Sequence, residues 1–146
     1  MAEKRIHLLH IDDDNIDRMV VQRVLKKIPS ISTHLQAPNG EDALDMLRGA
    51  NGKTINPFPN VILLDINMPK MNGIEFLKEL RADDNLKHLP VFILTTSNDE
   101  NDRMKAYQYN VAGYILKPLD LSIYDSTFRT IADFWLLCEL PNLQLH

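Results

Sequence analysis

The sequence predicts an α/β fold: a doubly wound (βα)5 domain in which a five-stranded parallel sheet carries helices on both faces. Short apolar or β-branched segments alternate five times with helix-length segments. Strict alternation favours a parallel sheet, because each helix returns the chain to the start of the next strand by a right-handed crossover. The 146 residues, 45% of them hydrophobic, suit one core. We therefore expect a single domain over residues 1–146, with its core at about 5–137 and a short C-terminal tail.

Five segments have the length and composition of strands. Each is rich in apolar or β-branched residues and is bounded by Asp, Asn, Gly or Pro, which favour turns. The third is wholly apolar, as expected of a strand covered on both faces. In chain order, the predicted strands are Ile6–Ile11, Ser32–Gln36, Val61–Leu64, Val91–Thr95 and Gly113–Leu116.

Helix-length segments with capping signals lie between these strands. Asp14, Asn39 and Ser97 each stand three residues before an acidic residue, which is typical of a helix start. The last helix is predicted from about Leu121 to about Leu137, and the one long connection covers residues 48–60. The predicted faces are a mixed one on the first helix (Ile16, Met19, Val20, Arg23, Val24, Lys27) and an apolar stripe on the third (Ile74, Phe76, Leu77, Leu80).

Composition argues against several classes of protein. The formal net charge is −4 and the 16 Lys and Arg residues are scattered, so nucleic acid is not an expected partner. Cys138 is the only cysteine, which excludes an intramolecular disulfide and a cysteine-based zinc cluster. The apolar segments are of strand length, and the N-terminus lacks the apolar region of a signal peptide. We expect a cytoplasmic protein without a membrane partner.

Reactive side chains follow four of the predicted strands. Because the carboxyl ends of parallel strands lie along one edge of the sheet, these side chains should converge there. Several carboxylates in one place repel one another, and a hard divalent cation such as Mg²⁺ would relieve that repulsion. The converging residues are Asp12, Asp13 and Asp14, then Asp65, Thr95 and Lys117.

This set of groups is suited to phosphoryl chemistry. A carboxylate at Asp65, an Mg²⁺ ion, the ammonium of Lys117 and the hydroxyl of Thr95 around one point would form a receptor for a transferring phosphoryl group. Mg²⁺ usually takes one or two carboxylates and leaves room for phosphate oxygens. The residues therefore favour a magnesium-dependent phosphoryl site at the sheet edge.

Four spaced motifs carry a family resemblance. In order, they are the segment from Ile6 to Asp14, the segment from Leu64 to Gly73, Leu94-Thr95-Thr96-Ser97, and the segment from Gly113 to Pro118. With these motifs the chain resembles a response-regulator receiver domain of two-component signalling over essentially its whole length. The resemblance implies a flavodoxin-like fold and a stand-alone, single-domain regulator.

The resemblance also implies the roles of the acidic residues. Asp65 would be the phosphoacceptor and a metal ligand, and Asp13 would bind Mg²⁺ directly. Asp12 would hold the metal through water, and the Asn67 carbonyl would complete the coordination.

Three further residues match the family's conserved functional positions. Thr95 and Tyr114 correspond to its switch pair: after phosphorylation, the threonine would move toward the phosphoryl group and the tyrosine would turn into the vacated space. Lys117 corresponds to the lysine that contacts the phosphoryl group. That lysine precedes a cis proline bond in the family, which makes Pro118 the expected cis proline.

The implied partners are proteins. A histidine kinase or a phosphotransfer protein would supply the phosphoryl group, and an unknown target would bind the surface of the fourth helix, fifth strand and fifth helix. On this reading the protein is a phosphoacceptor with slow autodephosphorylation, not a turnover enzyme. The apolar tail from Phe134 to Leu140 either packs on the core or contributes to a homodimer through the same surface.

Two alternative functions stay open. Phosphohydrolases of the haloacid-dehalogenase type also use an Asp nucleophile with Mg²⁺ and a lysine, but they need a second Asp two residues later. Here that position is Asn67, which cannot act as a general acid. The other alternative is a receiver fold that serves as an interaction module without phosphorylation.

Structural roles compete with functional ones at single residues. Asp14 is best explained as a helix cap, and His10, within the first strand, is expected to be buried or half-buried without a catalytic role. Thr96 departs from the family, which usually has a small residue there, and Asn67 and Ser97 flank the path of a hydrolytic water.

Overall fold

Every predicted strand is present in a computed structural model of the chain, which describes residues 5–52 and 55–140. The strands are β1 (Ile6–Ile11), β2 (Ile31–Ala37), β3 (Val61–Leu64), β4 (Val91–Thr95) and β5 (Gly113–Leu116). The α-helices are α1 (Asn15–Lys26), α2 (Gly40–Arg48), α3 (Gly73–Ala82), α4 (Glu100–Gln108) and α5 (Leu121–Leu137), and a 3-10 turn covers Ala50–Gly52. Only β2 differs from its predicted bounds, by one residue at each end.

The strands form one parallel sheet in the order β2-β1-β3-β4-β5. Strand β1 lies between β2 and β3, with Ile11 opposite Leu64 at the carboxyl edge. The predicted doubly wound α/β fold is therefore confirmed. The chain adds β2 on one side of β1 and β3 to β5 on the other side, so the strand order reverses between β1 and β3. In such sheets, ligands bind beyond the carboxyl ends of the two strands where the order reverses.

Two apolar layers cover the sheet, because successive side chains of a strand point to opposite faces. From β1, Leu9 and Ile11 pack with α2, α3 and α4, whereas Ile6 and Leu8 pack with α1 and α5. In β3, Ile62 and Leu64 belong to the first layer, while Val61 and Leu63 belong to the second. Burial on both sides explains why β3 is continuously apolar.

Helix capping agrees with the sequence at two of the three predicted sites. Asp14 caps α1 by accepting hydrogen bonds from the backbone of Ile16 and Asp17, and Asn39 caps α2. The prediction of Ser97 as the cap of α4 is wrong, because Asp99 accepts from the first turn instead. Ser97 Oγ donates to Asp102 at 2.7 Å.

The buried face of α1 also differs from the prediction. Val21, Val24 and Leu25 face the sheet, whereas Ile16 and Met19 are exposed. A helix buries the residues that lie three or four apart on the side of its partner. The buried stripe of α1 begins at Val21, so Ile16 and Met19 in the first turns lie outside it.

Helix α5 and the tail divide their apolar residues between core and surface. Tyr124, Phe128 and Trp135 are buried, and the Trp135 ring meets Phe92 edge to face at 5.5 Å. Phe134 and Leu137 are exposed. Although α5 is 17 residues long, no helix in residues 5–52 and 55–140 is long and apolar enough to cross a lipid bilayer.

We expect Phe128→Ala to lower the free energy of unfolding by about 3–5 kcal/mol, because the substitution leaves a cavity in a packed layer. Leu137→Ala is the control on the same helix, where the side chain is 81% exposed and the expected loss is about 1 kcal/mol or less. Urea denaturation measures both values. Equal losses would contradict this orientation of α5.

Candidate phosphorylation site

The carboxyl edge of the sheet brings together residues that are far apart in sequence. Asp12 directly follows β1, Asp65 follows β3 and Lys117 follows β5. Hydrogen bonds continue the parallel pairing past the strand ends, from Asp65 N to the Ile11 carbonyl and from Lys117 N to the Thr95 carbonyl. The backbone therefore fixes where each side chain begins.

Three carboxylates form the centre of the site. Asp12, Asp13 and Asp65 each offer an oxygen within 4.8 Å of the others. Asp12 and Asp65 are buried and Asp13 is exposed. Backbone amides orient the buried pair, since Asp14 N donates to Asp12 Oδ1 at 3.0 Å and Ile66 N donates to Asp65 Oδ1 at 2.7 Å. Carboxylate oxygens at this spacing fit a hard divalent cation.

Lys117 is the cation that faces these acids. Its Nζ lies 2.9 Å from Asp12 Oδ2, 3.0 Å from Asp65 Oδ2 and 2.6 Å from Asp17 Oδ2. Burial alone would lower the pKa of the ammonium, but the hydrogen bond to Asp17 and the nearby charges of Asp12 and Asp65 raise it above the usual range. Lys117 therefore stays charged beside Asp65 at neutral pH.

The charged form of the Asp12 carboxylate is disfavoured by its burial. Burial raises its pKa above the ordinary Asp value, while the Asp14 amide and Lys117 act in the opposite direction. His10 Nε2 lies 3.8 Å from Asp12 Oδ2 and does not compensate the charge, because burial lowers the His10 pKa to about 3. His10 is buried, as expected, and within the described part of the chain neither of its ring nitrogens has a hydrogen-bond partner.

Thr95 and Tyr114 are linked through the backbone of Ser97. Thr95 is buried, and its Oγ1 accepts a hydrogen bond from Ser97 N at 3.2 Å. Tyr114 is half-buried and donates its hydroxyl hydrogen to the Ser97 carbonyl at 2.8 Å. The Arg103 guanidinium lies 5.6 Å from the centre of the Tyr114 ring. Movement of the β4–α4 loop would therefore affect both side chains.

Two other predicted residues have different outcomes. Asn67 lies exposed in the loop two residues after Asp65. The expectation of a cis bond before Pro118 is wrong: in residues 5–52 and 55–140 the cis peptide bond is Asn56–Pro57. A trans bond is the intrinsic preference before proline.

The sequence analysis missed two contributors to the site. Asp17, the acidic residue three positions after Asp14, contacts Lys117 Nζ at 2.6 Å. Gly73, at the start of α3, packs on the Asp65–Ile66 backbone: a Cβ atom there would lie 2.4 Å from the Asp65 carbonyl oxygen. Neither contact joins neighbours in sequence, so no local pattern indicates it.

Comparison with known proteins identifies the family. Residues 8–125 match the family model of the response regulator receiver domain. The chain therefore belongs to the response-regulator receiver family, whose members are phosphoacceptors in two-component signalling.

Similar proteins include regulators of comparable length. The chain is 34% identical to response regulator Rcp1 of Synechocystis over 88% of each chain, and 36% identical to chemotaxis protein CheY-3 of Vibrio cholerae over 81% of this chain and 85% of that protein. The phosphorylated cyanobacterial phytochrome response regulator RcpA aligns with a TM-score of 0.87 at 31% identity, covering 94% of this chain and 99% of RcpA. A structure of Rcp1 in its Mn²⁺-bound form aligns with a TM-score of 0.79, covering 93% of this chain and 99% of Rcp1.

We expect Gly73→Ala to destabilise the protein by about 1–3 kcal/mol, because the added methyl group overlaps backbone that cannot move freely. Gly113→Ala is the control, since its Cβ would meet only the Phe92 ring, at 3.2 Å. Urea denaturation should show the larger loss for Gly73→Ala. A stabilised Gly73→Ala protein would disprove the close approach of α3 to Asp65.

Proposed function

We propose that the protein is a stand-alone response regulator, formed by one receiver domain, that accepts a phosphoryl group on Asp65. The observation that carries this proposal is the position of Asp65 between Lys117 Nζ, 3.0 Å away, and two further carboxylates within 4.8 Å. The Asp65 carboxylate is fixed by the Ile66 amide. Family membership supports the same function.

The metal proposed for this site is Mg²⁺. Asp12, Asp13 and Asp65 would hold it with the Asn67 carbonyl, and Asp12 would act through water. Three hard oxygen donors in one cluster fit this ion, and the Mn²⁺-bound form of Rcp1 supports a divalent cation. The bound ion would offset negative charge on the phosphoryl oxygens.

The reaction proposed is an in-line transfer from phosphohistidine. An oxygen of Asp65 forms the new O–P bond while the N–P bond of the donor breaks. The electron pair of the N–P bond returns to the imidazole nitrogen of the donor. Lys117 donates a hydrogen bond to a phosphoryl oxygen, and the hydroxyl of Thr95 donates to another. The product is an acyl phosphate.

The proposed donor is a histidine kinase or a phosphotransfer protein in the cytoplasm. A small-molecule pocket is not needed for this reaction, because a protein donor brings its phosphohistidine to the sheet edge. Asp13 is exposed at that edge, so the donor has access to the acid cluster.

A phosphohydrolase is the weaker alternative. It needs a general acid two residues after the nucleophile, and the amide at Asn67 cannot transfer a proton. A receiver fold that serves as an interaction module without phosphorylation is also less well supported, because such a module does not need buried charges at Asp12 and Lys117, which are costly to bury.

Replacing Asp65 with Asn should abolish Mg²⁺-dependent labelling by acetyl phosphate, since the amide is not a nucleophile of this kind. Mass spectrometry of the intact protein measures the added phosphoryl group, which base should remove. Asp42→Asn is the control, because Asp42 is an exposed acid in the first turn of α2 and should leave labelling intact. Full labelling of the Asp65→Asn protein would refute the proposal, and rapid multiple turnover of a phosphate ester would favour the hydrolase.

We propose that Thr95 and Tyr114 act as a switch. Phosphorylation adds negative charge beside Asp65 and attracts the Thr95 hydroxyl, which breaks its bond with Ser97 N. The Ser97 carbonyl then releases Tyr114, whose ring turns inward. The surface of α4, β5 and α5 changes as a result, and it presents Met104, Tyr107 and Leu116 to a partner.

Beryllofluoride with Mg²⁺ mimics the phosphoryl group and should shift the NMR signals of the Tyr114 ring. The indole signals of buried Trp135, which lies beside Ile6 at the amino end of β1, serve as the control within the same sample. In Thr95→Ala the Tyr114 shift should shrink several-fold, although beryllofluoride still binds. An unchanged Tyr114 spectrum in the wild-type protein would rule out the switch.

The same samples test the partner of this surface. We propose a downstream protein as the main occupant and a homodimer as the second. Sedimentation at several protein concentrations, with and without beryllofluoride, distinguishes them. A monomer under every condition would exclude the homodimer.

A further inference from the structure

Asp17 is a fourth carboxylate beside the site. It lies in the first turn of α1, and its Oδ2 is 2.6 Å from Lys117 Nζ, a shorter distance than those to Asp12 and Asp65. Among the described residues, the carboxylates close enough together to hold a metal ion are Asp12, Asp13 and Asp65, without Asp17. The contact of Asp17 with the site is therefore through Lys117.

Helix capping does not account for this contact. The cap of α1 is Asp14, and Asp17 uses its backbone N–H, not its carboxylate, to bond the Asp14 side chain. An acid in the first turn gains a little from the helix dipole wherever its side chain points. The Asp17 carboxylate instead reaches 100 positions along the chain to Lys117.

The contact occupies a hydrogen-bond donor that the proposed reaction needs. An ammonium group has three N–H donors. Lys117 donates hydrogen bonds to Asp17 and Asp65, and its Nζ also lies 2.9 Å from Asp12 Oδ2 without an aligned hydrogen bond. A phosphoryl group on Asp65 would compete with these three carboxylates for the ammonium group. Asp17 is the partner most open to water: its side chain is 26% exposed, against 0% for Asp12 and 7% for Asp65. Its release costs least, because water replaces the lost hydrogen bond.

We propose that Asp17 is a positioning residue that holds Lys117 in the resting protein and competes with the phosphoryl group for it. This inference rests on the proposed roles of Asp65 and Lys117. Asp17 keeps the ammonium group beside Asp65 before transfer. Because it competes for Lys117, it also makes the phosphorylated state less stable than it would be without the Asp17 carboxylate. Asp17 thus sets how strongly the site holds a phosphoryl group.

Replacing Asp17 with Asn should have opposite effects on two ligands. Beryllofluoride at saturating Mg²⁺ should bind about five-fold more tightly, because the ion pair between Lys117 and residue 17 no longer has to be broken. A partly exposed ion pair contributes an affinity change of this size. Mg²⁺ alone should bind about two-fold more weakly, because one negative charge near the cluster is removed. Calorimetry measures Mg²⁺ binding, and fluorine NMR measures beryllofluoride binding. General damage to the site would weaken both.

Asp14→Asn is the matched control. It removes one charge from the same helix end, Asn caps a helix as well as Asp does, and the Asp14 carboxylate bonds the backbone of Ile16 and Asp17. Tighter beryllofluoride binding in Asp17→Asn than in Asp14→Asn would support the contact with Lys117. Equal gains in the two variants, or no gain in Asp17→Asn, would overturn the inference.

The wild-type protein separates this inference from the proposed function. If wild type with Mg²⁺ binds no beryllofluoride, the assignment of Asp65 fails and the role of Asp17 fails with it. If wild type binds and Asp17→Asn binds no more tightly, only the role of Asp17 fails. Thermal unfolding without Mg²⁺ verifies that both variants are folded before their affinities are compared.

Discussion

The ion pairs of Lys117 are the interaction on which the site depends. The sheet buries Asp12 and Asp65 beside each other, and two ionised carboxylates in such surroundings repel one another and lose hydration. One ammonium group within 3.0 Å of both offsets these costs. The raised pKa of Lys117 means that its ammonium group stays charged, whereas the raised pKa of Asp12 means that burial disfavours its carboxylate charge. The charged lysine therefore stabilises the buried carboxylates.

The fold supplies this arrangement through backbone geometry. Parallel pairing places the residue after β1 next to the residue after β3, and the Asp65 amide bonds the Ile11 carbonyl beyond the last strand residues. Gly73 lets α3 begin directly against the Asp65 backbone. A site built on rigid strands and a close helix start holds its carboxylates in defined positions.

The β4–α4 loop links two side chains beside the site. Ser97 joins Thr95 and Tyr114 through one amide and one carbonyl, so a single peptide segment connects a buried hydroxyl with a half-buried aromatic ring. Asp17 reaches Lys117 from α1, a helix that packs with α5 on one face of the sheet. Rigid acids and adjustable neighbours are the combination that a reversible signal requires.

The sequence by itself determined the strand order along the chain, the α/β class and the residues at the strand ends, because local composition and alternation carry that information. It also gave Asp65, Asp12, Asp13 and Lys117 as a set, since parallel strands must end at one edge. Only the tertiary structure decided the contact of Asp17 with Lys117, the approach of Gly73 to Asp65, the buried face of α1 and the trans bond at Pro118. These depend on how helices and loops pack across the sheet, and side chains 100 positions apart leave no periodic pattern that shows they will meet.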